Sequence, residues 1–215
     1  MGNSANKEEE KIELKSTSFT HIAVMPRMNG DCDSDWYPWI FEQIKQNYKD
    51  VTIIKMELKA TKDAPTINPC IESIKQSIEN VNDKILLENT LFIGHSTGCS
   101  AILRYIESID DKNIKIGGVL LVAAWFQIDE PWKEIIPWQN YESFDFAKVE
   151  SLVLSGINVI ISDNDEYTKD YNQTRKLFQQ RLNANVVIAQ NRNHFMTNKE
   201  IHVWNLLCQL LDNDK

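Results

Sequence analysis

The stretch Leu91-Phe92-Ile93-Gly94-His95-Ser96-Thr97-Gly98-Cys99-Ser100-Ala101-Ile102-Leu103 decides how this chain is read. Its first three residues are apolar and bulky, as in a strand buried on both faces, and Gly94 ends the run. From Cys99 to Ser108 the spacing becomes helical. Between strand and helix stands Gly94-His95-Ser96-Thr97-Gly98. A Gly-x-Ser-x-Gly turn in that context is a nucleophile elbow, which lifts a serine hydroxyl above a sheet edge. Gly94 and Gly98 leave room where strand and helix pack against the turn. The Thr97 amide, at the helix N-terminus, can stabilise a developing oxyanion. Ser96 is the candidate nucleophile.

Outward from this turn, short apolar runs alternate with helical patterns. His21 to Pro26, Val51 to Ile54, Ile116 to Ala123, Val159 to Ile161 and Val186 to Ile188 read as strands. Helical spacing covers Trp36 to Tyr48 and about Lys169 to Leu182. Another helix starts with Asn68 as N-cap and Pro69 at its first position, and buries Ile71, Ile74, Ile78 and Val81. A last helix follows Asn198, with Ile201, Trp204, Cys208 and Leu211 on one face. Strands apolar throughout, each followed by a helix, imply an α/β fold: a mostly parallel sheet with helices on both faces. Residues 1–17 read as a disordered polar tail and 18–215 as one domain.

A serine nucleophile needs a base and an acid that orients it, in the chain order Ser, Asp or Glu, His. Two histidines follow Ser96. His202 falls inside the last helix. His194 lies in the loop after the final strand and leaves the same sheet edge as the elbow, so it is the candidate base. Asp163 and Asp165 both follow the preceding strand. The acid must cross the top of the sheet to reach His194, which favours Asp165, further into the loop. Asp163 suits an Asx turn. A calcium loop would need a glycine that Ser162 to Glu166 lacks, so no metal is expected.

The 215 residues carry a formal net charge of -8, which repels phosphate and argues against nucleic acid and anionic membrane as partners. The longest apolar stretch, Ile116 to Phe126, is too short to span a bilayer. The polar start, Met1-Gly2-Asn3-Ser4, has no apolar signal region, and Asn6 stands where a myristoylation motif wants Ser or Thr. Cys32, Cys70, Cys99 and Cys208 form no close pair and read as reduced thiols in a cytoplasmic protein. Ala124 to Phe146 breaks the alternation and holds seven of the 20 aromatic residues. It reads as a cap-like insertion, and Trp138, Trp36 and Trp125 are expected to wall the substrate pocket.

Gly94 to Tyr105 resembles the elbow and helix of the small serine hydrolases of the retinoblastoma-binding protein nine and bacterial YdeN-like family. Trp36-Tyr37-Pro38-Trp39 resembles the family's WYxW, and Pro137-Trp138-Gln139 its PWQ. Ser162-Asp163-Asn164-Asp165-Glu166-Tyr167 resembles its strand-end acid motif, and Asn193-His194-Phe195 its Gly-His-Phe. The resemblance implies a compact α/β-hydrolase fold with Ser96, Asp165 and His194 as triad, no cofactor, and small-molecule ester or amide substrates, aminoacyl ones among them. Arg27 stands where the family's oxyanion loop has Gly, so the second oxyanion donor is expected to be the backbone amide of Arg27 or Met28. Glu166 replaces a Pro. The nearest stretch to the family's LxCxE is Asn68-Pro69-Cys70-Ile71-Glu72, so retinoblastoma binding is not implied. The competing expectation is a partner-binding protein on a hydrolase fold.

Overall fold

Every strand of the sheet has its C-terminal end on one edge, and this places the site. The computed structural model describes residues 17–59, 66–80 and 87–212. It contains β1 (His21–Met25), α1 (Tyr37–Asn47), β2 (Thr52–Lys55), α2 (Ile67–Glu79), β3 (Thr90–His95), α3 (Thr97–Glu107), β4 (Gly118–Val122), α4 (Phe146–Leu152), β5 (Ile157–Ser162), α5 (Tyr171–Leu182), β6 (Asn185–Ala189) and α6 (Ile201–Asp212). The six strands form one parallel sheet in the order β2-β1-β3-β4-β5-β6. Met25 pairs with Gly94, His95 with Val122, Val122 with Ile160 and Ser162 with Ala189. The loops carrying Arg27, Ser96, Trp125, Asp165 and His194 therefore all leave one edge. Strand order reverses between β1 and β3, where parallel sheets open their binding crevice.

The strands are apolar on both sides because both sides are covered. Ile22, Val24, Leu91, Ile93, Leu120 and Ile160 pack under α1 and α6. Ala23, Met25, Phe92, Val119, Leu121 and Val159 pack under the other helices. Neighbours in sequence thus serve opposite cores, the period of two that a strand imposes.

Local differences from the sequence reading have local causes. α2 starts two residues early, with Thr66 at its N-cap position and no side-chain capping bond. Pro69 sits within its first turn, where no backbone N–H is needed. α3 starts at Thr97 and not Cys99, because the elbow turn feeds directly into it. α4, capped by Asp145 through the Lys148 amide, is a helix the apolar spacing does not announce. Val81, Gly2 and most of the tail lie outside the described residues.

Candidate active site

Ser96 adopts φ 53° and ψ −119°, a strained conformation for a residue with a side chain. Its amide is held by the Val122 carbonyl at 2.9 Å. The two glycines are required by contact rather than by backbone angle. A Cβ on Gly98 would stand 2.5 Å from the carbonyl oxygens of Met25 and Pro26, and one on Gly94 2.8 Å from the Cys99 backbone. Three stretches of main chain meet here with no room for a methyl group, and that packing forces the turn.

Ser96 Oγ lies 2.8 Å from His194 Nε2, and His194 Nδ1 lies 2.8 Å from Asp165 Oδ2. A carboxylate only accepts, so Nδ1 carries the proton and Nε2 of the neutral ring is free to accept from the serine hydroxyl. All three side chains are buried. Asp165 Oδ1 accepts from the Tyr167 amide at 2.9 Å, and the Tyr167 ring meets His194 edge-on with centroids 4.6 Å apart. Asp163 turns away and accepts from the Asn191 amide at 2.7 Å, the loop-bracing role its position suggests.

The His194 loop is unusual backbone, with Asn191, Asn193 and Phe195 all at positive φ. It is laced to its surroundings. The Arg192 amide donates to Ser162 Oγ, and the Asn193 amide to Asn164 Oδ1. Arg192 Nε donates to Glu200 at 2.9 Å, and Thr197 meets the other oxygen of that fully buried carboxylate at 2.6 Å.

The loop after β1 treats the two expected amides differently. The Arg27 amide donates to Tyr37 Oη at 3.1 Å and is not open to a ligand. The Met28 amide has no partner among the described residues. The Arg27 side chain forms a bidentate pair with Asp35, Nε to Oδ2 at 2.7 Å and Nη2 to Oδ1 at 3.2 Å, which strengthens its hold on its proton. Its Nη1 donates to the Met28 carbonyl. The Arg27 guanidinium thus staples the loop to Asp35 and to the Met28 carbonyl.

Above Ser96 opens a cavity of about 360 Å³. Met28, Trp125, Ile128, Trp132, Tyr167 and Met196 supply its apolar wall, and Arg27, Asn29, Thr97 and His194 complete it. Trp125 is the one expected tryptophan found there. Ala123, at φ 49°, ends β4 abruptly and swings that ring over the elbow, with Nε1 3.4 Å from Ser96 Oγ. Trp138 and Trp36 do not line the cavity. Trp138 follows Pro137 in a short 3-10 turn, its carbonyl accepts from Arg104, and its ring is fully buried in the core under α3. Trp36 is fully buried in the opposite core, against Tyr37. The aromatic segment is therefore divided. Trp125, Ile128 and Trp132 face the cavity, while Phe126 stacks on Phe178 and packs with Tyr141 and Phe146 inside the fold.

Residues 22–213 match the family described as Serine hydrolase. The chain belongs to that family. It is 24% identical, over 75% of its length and 78% of the relative's, to the Bacillus subtilis (strain 168) protein YdeN, which is named as a hydrolase. The crystal structure of the B. subtilis ydeN gene product superposes with a TM-score of 0.73 at 20% identity, covering 89% of this chain and 98% of that one. Est1E from Butyrivibrio proteoclasticus superposes with a TM-score of 0.58 at 10% identity, covering 95% and 88%. At these identities the structures speak for a shared α/β-hydrolase fold, and the family match makes this serine hydrolase an enzyme. Among the described residues no helix is long and apolar enough to cross a membrane.

The sequence reading missed Tyr37 and His95. His95 Nδ1 lies 2.7 Å from Tyr37 Oη, and its Nε2 2.9 Å from the His194 carbonyl. The signal was present: two polar rings inside otherwise apolar or functional motifs, fully buried, must find partners.

Proposed function

We propose that this serine hydrolase cleaves small carboxylic esters or amides through an acyl-enzyme, with Ser96 as nucleophile, His194 as base and Asp165 as orienting acid. The observation that carries the reading is the unbroken chain from Asp165 through His194 to Ser96, with both links at 2.8 Å. Ser96 Oγ attacks the carbonyl carbon while its proton passes to His194 Nε2. Asp165 holds the ring in the required tautomer and stabilises the imidazolium. The amides of Thr97 and Met28 take the oxyanion. His194 then gives its proton to the leaving oxygen or nitrogen, and a water repeats the sequence on the acyl-enzyme.

The cavity's chemistry narrows the acyl group. Its wall is aromatic and sulfur-containing, its one guanidinium is already paired with Asp35, and none of its lining residues is an Asp or Glu. An uncharged apolar or aromatic acyl group fits this wall. The α-ammonium of an aminoacyl substrate finds no carboxylate in it. A panel of p-nitrophenyl acyl esters against aminoacyl-naphthylamides tests this preference, and faster turnover of the aminoacyl compounds would reverse it. Ser96→Ala tests the mechanism. Turnover should fall by about 10⁶ and fluorophosphonate labelling should vanish. More than a per cent of residual activity in that variant would remove Ser96 from the role. We also place the enzyme in the cytoplasm, where its free cysteines stay reduced.

A further inference from the structure

The fully buried pair Tyr37 and His95 does not line the cavity; the His95 ring lies 5.6 Å from the His194 ring, and the pair is hydrogen-bonded to both flanking loops. Its hydrogen bonds have only one consistent direction. The His194 carbonyl can only accept, so His95 Nε2 carries the ring proton. Burial, and the neighbouring His194, hold His95 well below the ordinary histidine range, so the ring is neutral and Nδ1 is bare. Tyr37 must then donate its single hydroxyl proton to Nδ1. Its oxygen is left to accept from the Arg27 amide. The chain runs Arg27 N–H to Tyr37 Oη, Tyr37 O–H to His95 Nδ1, and His95 Nε2–H to the His194 carbonyl.

We propose that Tyr37 and His95 are positioning residues that lock the loop bearing the Met28 amide to the loop bearing His194, across the elbow between them. This rests on the mechanism proposed above and adds to it what sets the separation between oxyanion donor and base. The anchor points fit such a role. The carbonyl held is that of His194 itself, whose neighbours Asn193 and Phe195 both sit at positive φ. The amide held is that of Arg27, and the next amide, Met28, beside the cavity, has no partner among the described residues. His95 directly precedes Ser96, so donor loop, base loop and nucleophile meet at one residue. Trp36 wedges the rings in place, with centroids 4.5 Å from Tyr37 and 5.6 Å from His95.

The experiment measures kcat and KM of the full chain on a p-nitrophenyl ester, with melting temperature alongside. Tyr37→Phe keeps the ring and removes one hydroxyl. It should lower kcat about 10- to 100-fold with KM changed less than about threefold, short of the loss of a whole oxyanion donor. His95→Gln retains a carbonyl to accept from Tyr37 and an N–H to donate to His194, and should stay within about fivefold of wild type, whereas His95→Leu should match Tyr37→Phe. The double variant Tyr37→Phe/His95→Leu should be no slower than the slower single one, as expected of a single chain. A Tyr37→Phe enzyme within twofold of wild-type kcat, or losses that multiply in the double variant, would overturn the proposal. So would a His95→Gln enzyme as slow as His95→Leu, and this pair decides the matter alone if Tyr37→Phe does not fold. Ser96→Ala separates the two readings. If it is inactive while Tyr37→Phe is normal, only the positioning role fails. If it remains active, the mechanism itself fails.

Discussion

The elbow and the loop after β1 face each other across the cavity, and they are shaped by opposite means. The elbow is fixed by what cannot fit, since a single added carbon on Gly98 would lie 2.5 Å from two carbonyl oxygens. The loop after β1 is fixed by what is tied, through the Arg27–Asp35 pair and the Tyr37 hydroxyl. The His194 loop belongs with the second kind, laced by Asn164, Glu200 and His95. The two excluding glycines lie within one five-residue motif, although the backbone that Gly98 meets is that of Met25 and Pro26. The tethers use single side chains on separate loops and share no motif.

The two kinds should fail differently. The larger effect belongs to a tether, the carboxylate proposed to orient the base. Asp165→Asn should cost about 10⁴ in kcat at pH 7 to 8 with little loss of stability, and Asp163→Asn less than about tenfold. The reverse ranking would hand the orienting role to Asp163. On the excluded side, Gly98→Ala should destabilise the fold by about 3 kcal/mol or more, since backbone on β1 has to move. An unchanged denaturation midpoint would show that the elbow has slack the packing does not suggest. A milder break is Asp35→Asn, which keeps a residue type tolerant of φ 50° while removing the charge that staples Arg27. It should slow turnover about three- to tenfold, and with side chains only 22% and 8% exposed the pair should contribute about 1–3 kcal/mol to stability.

The smallest effect is a matter of pH. Burial and His194 depress the His95 pKa in the folded state, so the unfolded chain binds this proton first as pH falls. His95 therefore costs nothing above its unfolded pKa of about 6.5, and stability drains away below it, by at most about 1.4 kcal/mol per pH unit. The melting temperature should drop between pH 7 and 5.5, and His95→Gln should flatten that slope. An equal slope in the variant would assign the effect to other groups.

This division also explains what the sequence let one read. The strands were legible because a sheet covered on both faces demands unbroken apolar runs. The elbow was legible because its two glycines and Ser96 lie within five residues, and His194 because few histidines follow it. The tryptophans were not. Trp125 and Trp138 share a segment and a composition, yet one faces the cavity and the other the core, because Ala123 and the turn at Pro137 aim them differently. Tyr37 was quoted as part of a motif and His95 as part of another, but their meeting spans 58 residues, a separation with no periodicity to expose it. Likewise α4 owes its start to the Asp145 cap rather than to a hydrophobic stripe.

The strand order sets a timetable for chain synthesis. β2 and β3 pair with β1 on its two sides, and each later strand is laid beside the one before it. Along the chain the elbow precedes β6 by three helices and two strands, and the loop carrying His194 comes after the last strand, before α6. On the proposed mechanism a chain without this last loop holds a serine with no base, so turnover requires the final strand and its loop to dock. Regain of esterase activity during refolding should therefore lag behind regain of helical circular dichroism, because hydrolysis requires this loop to dock while most helices form without it.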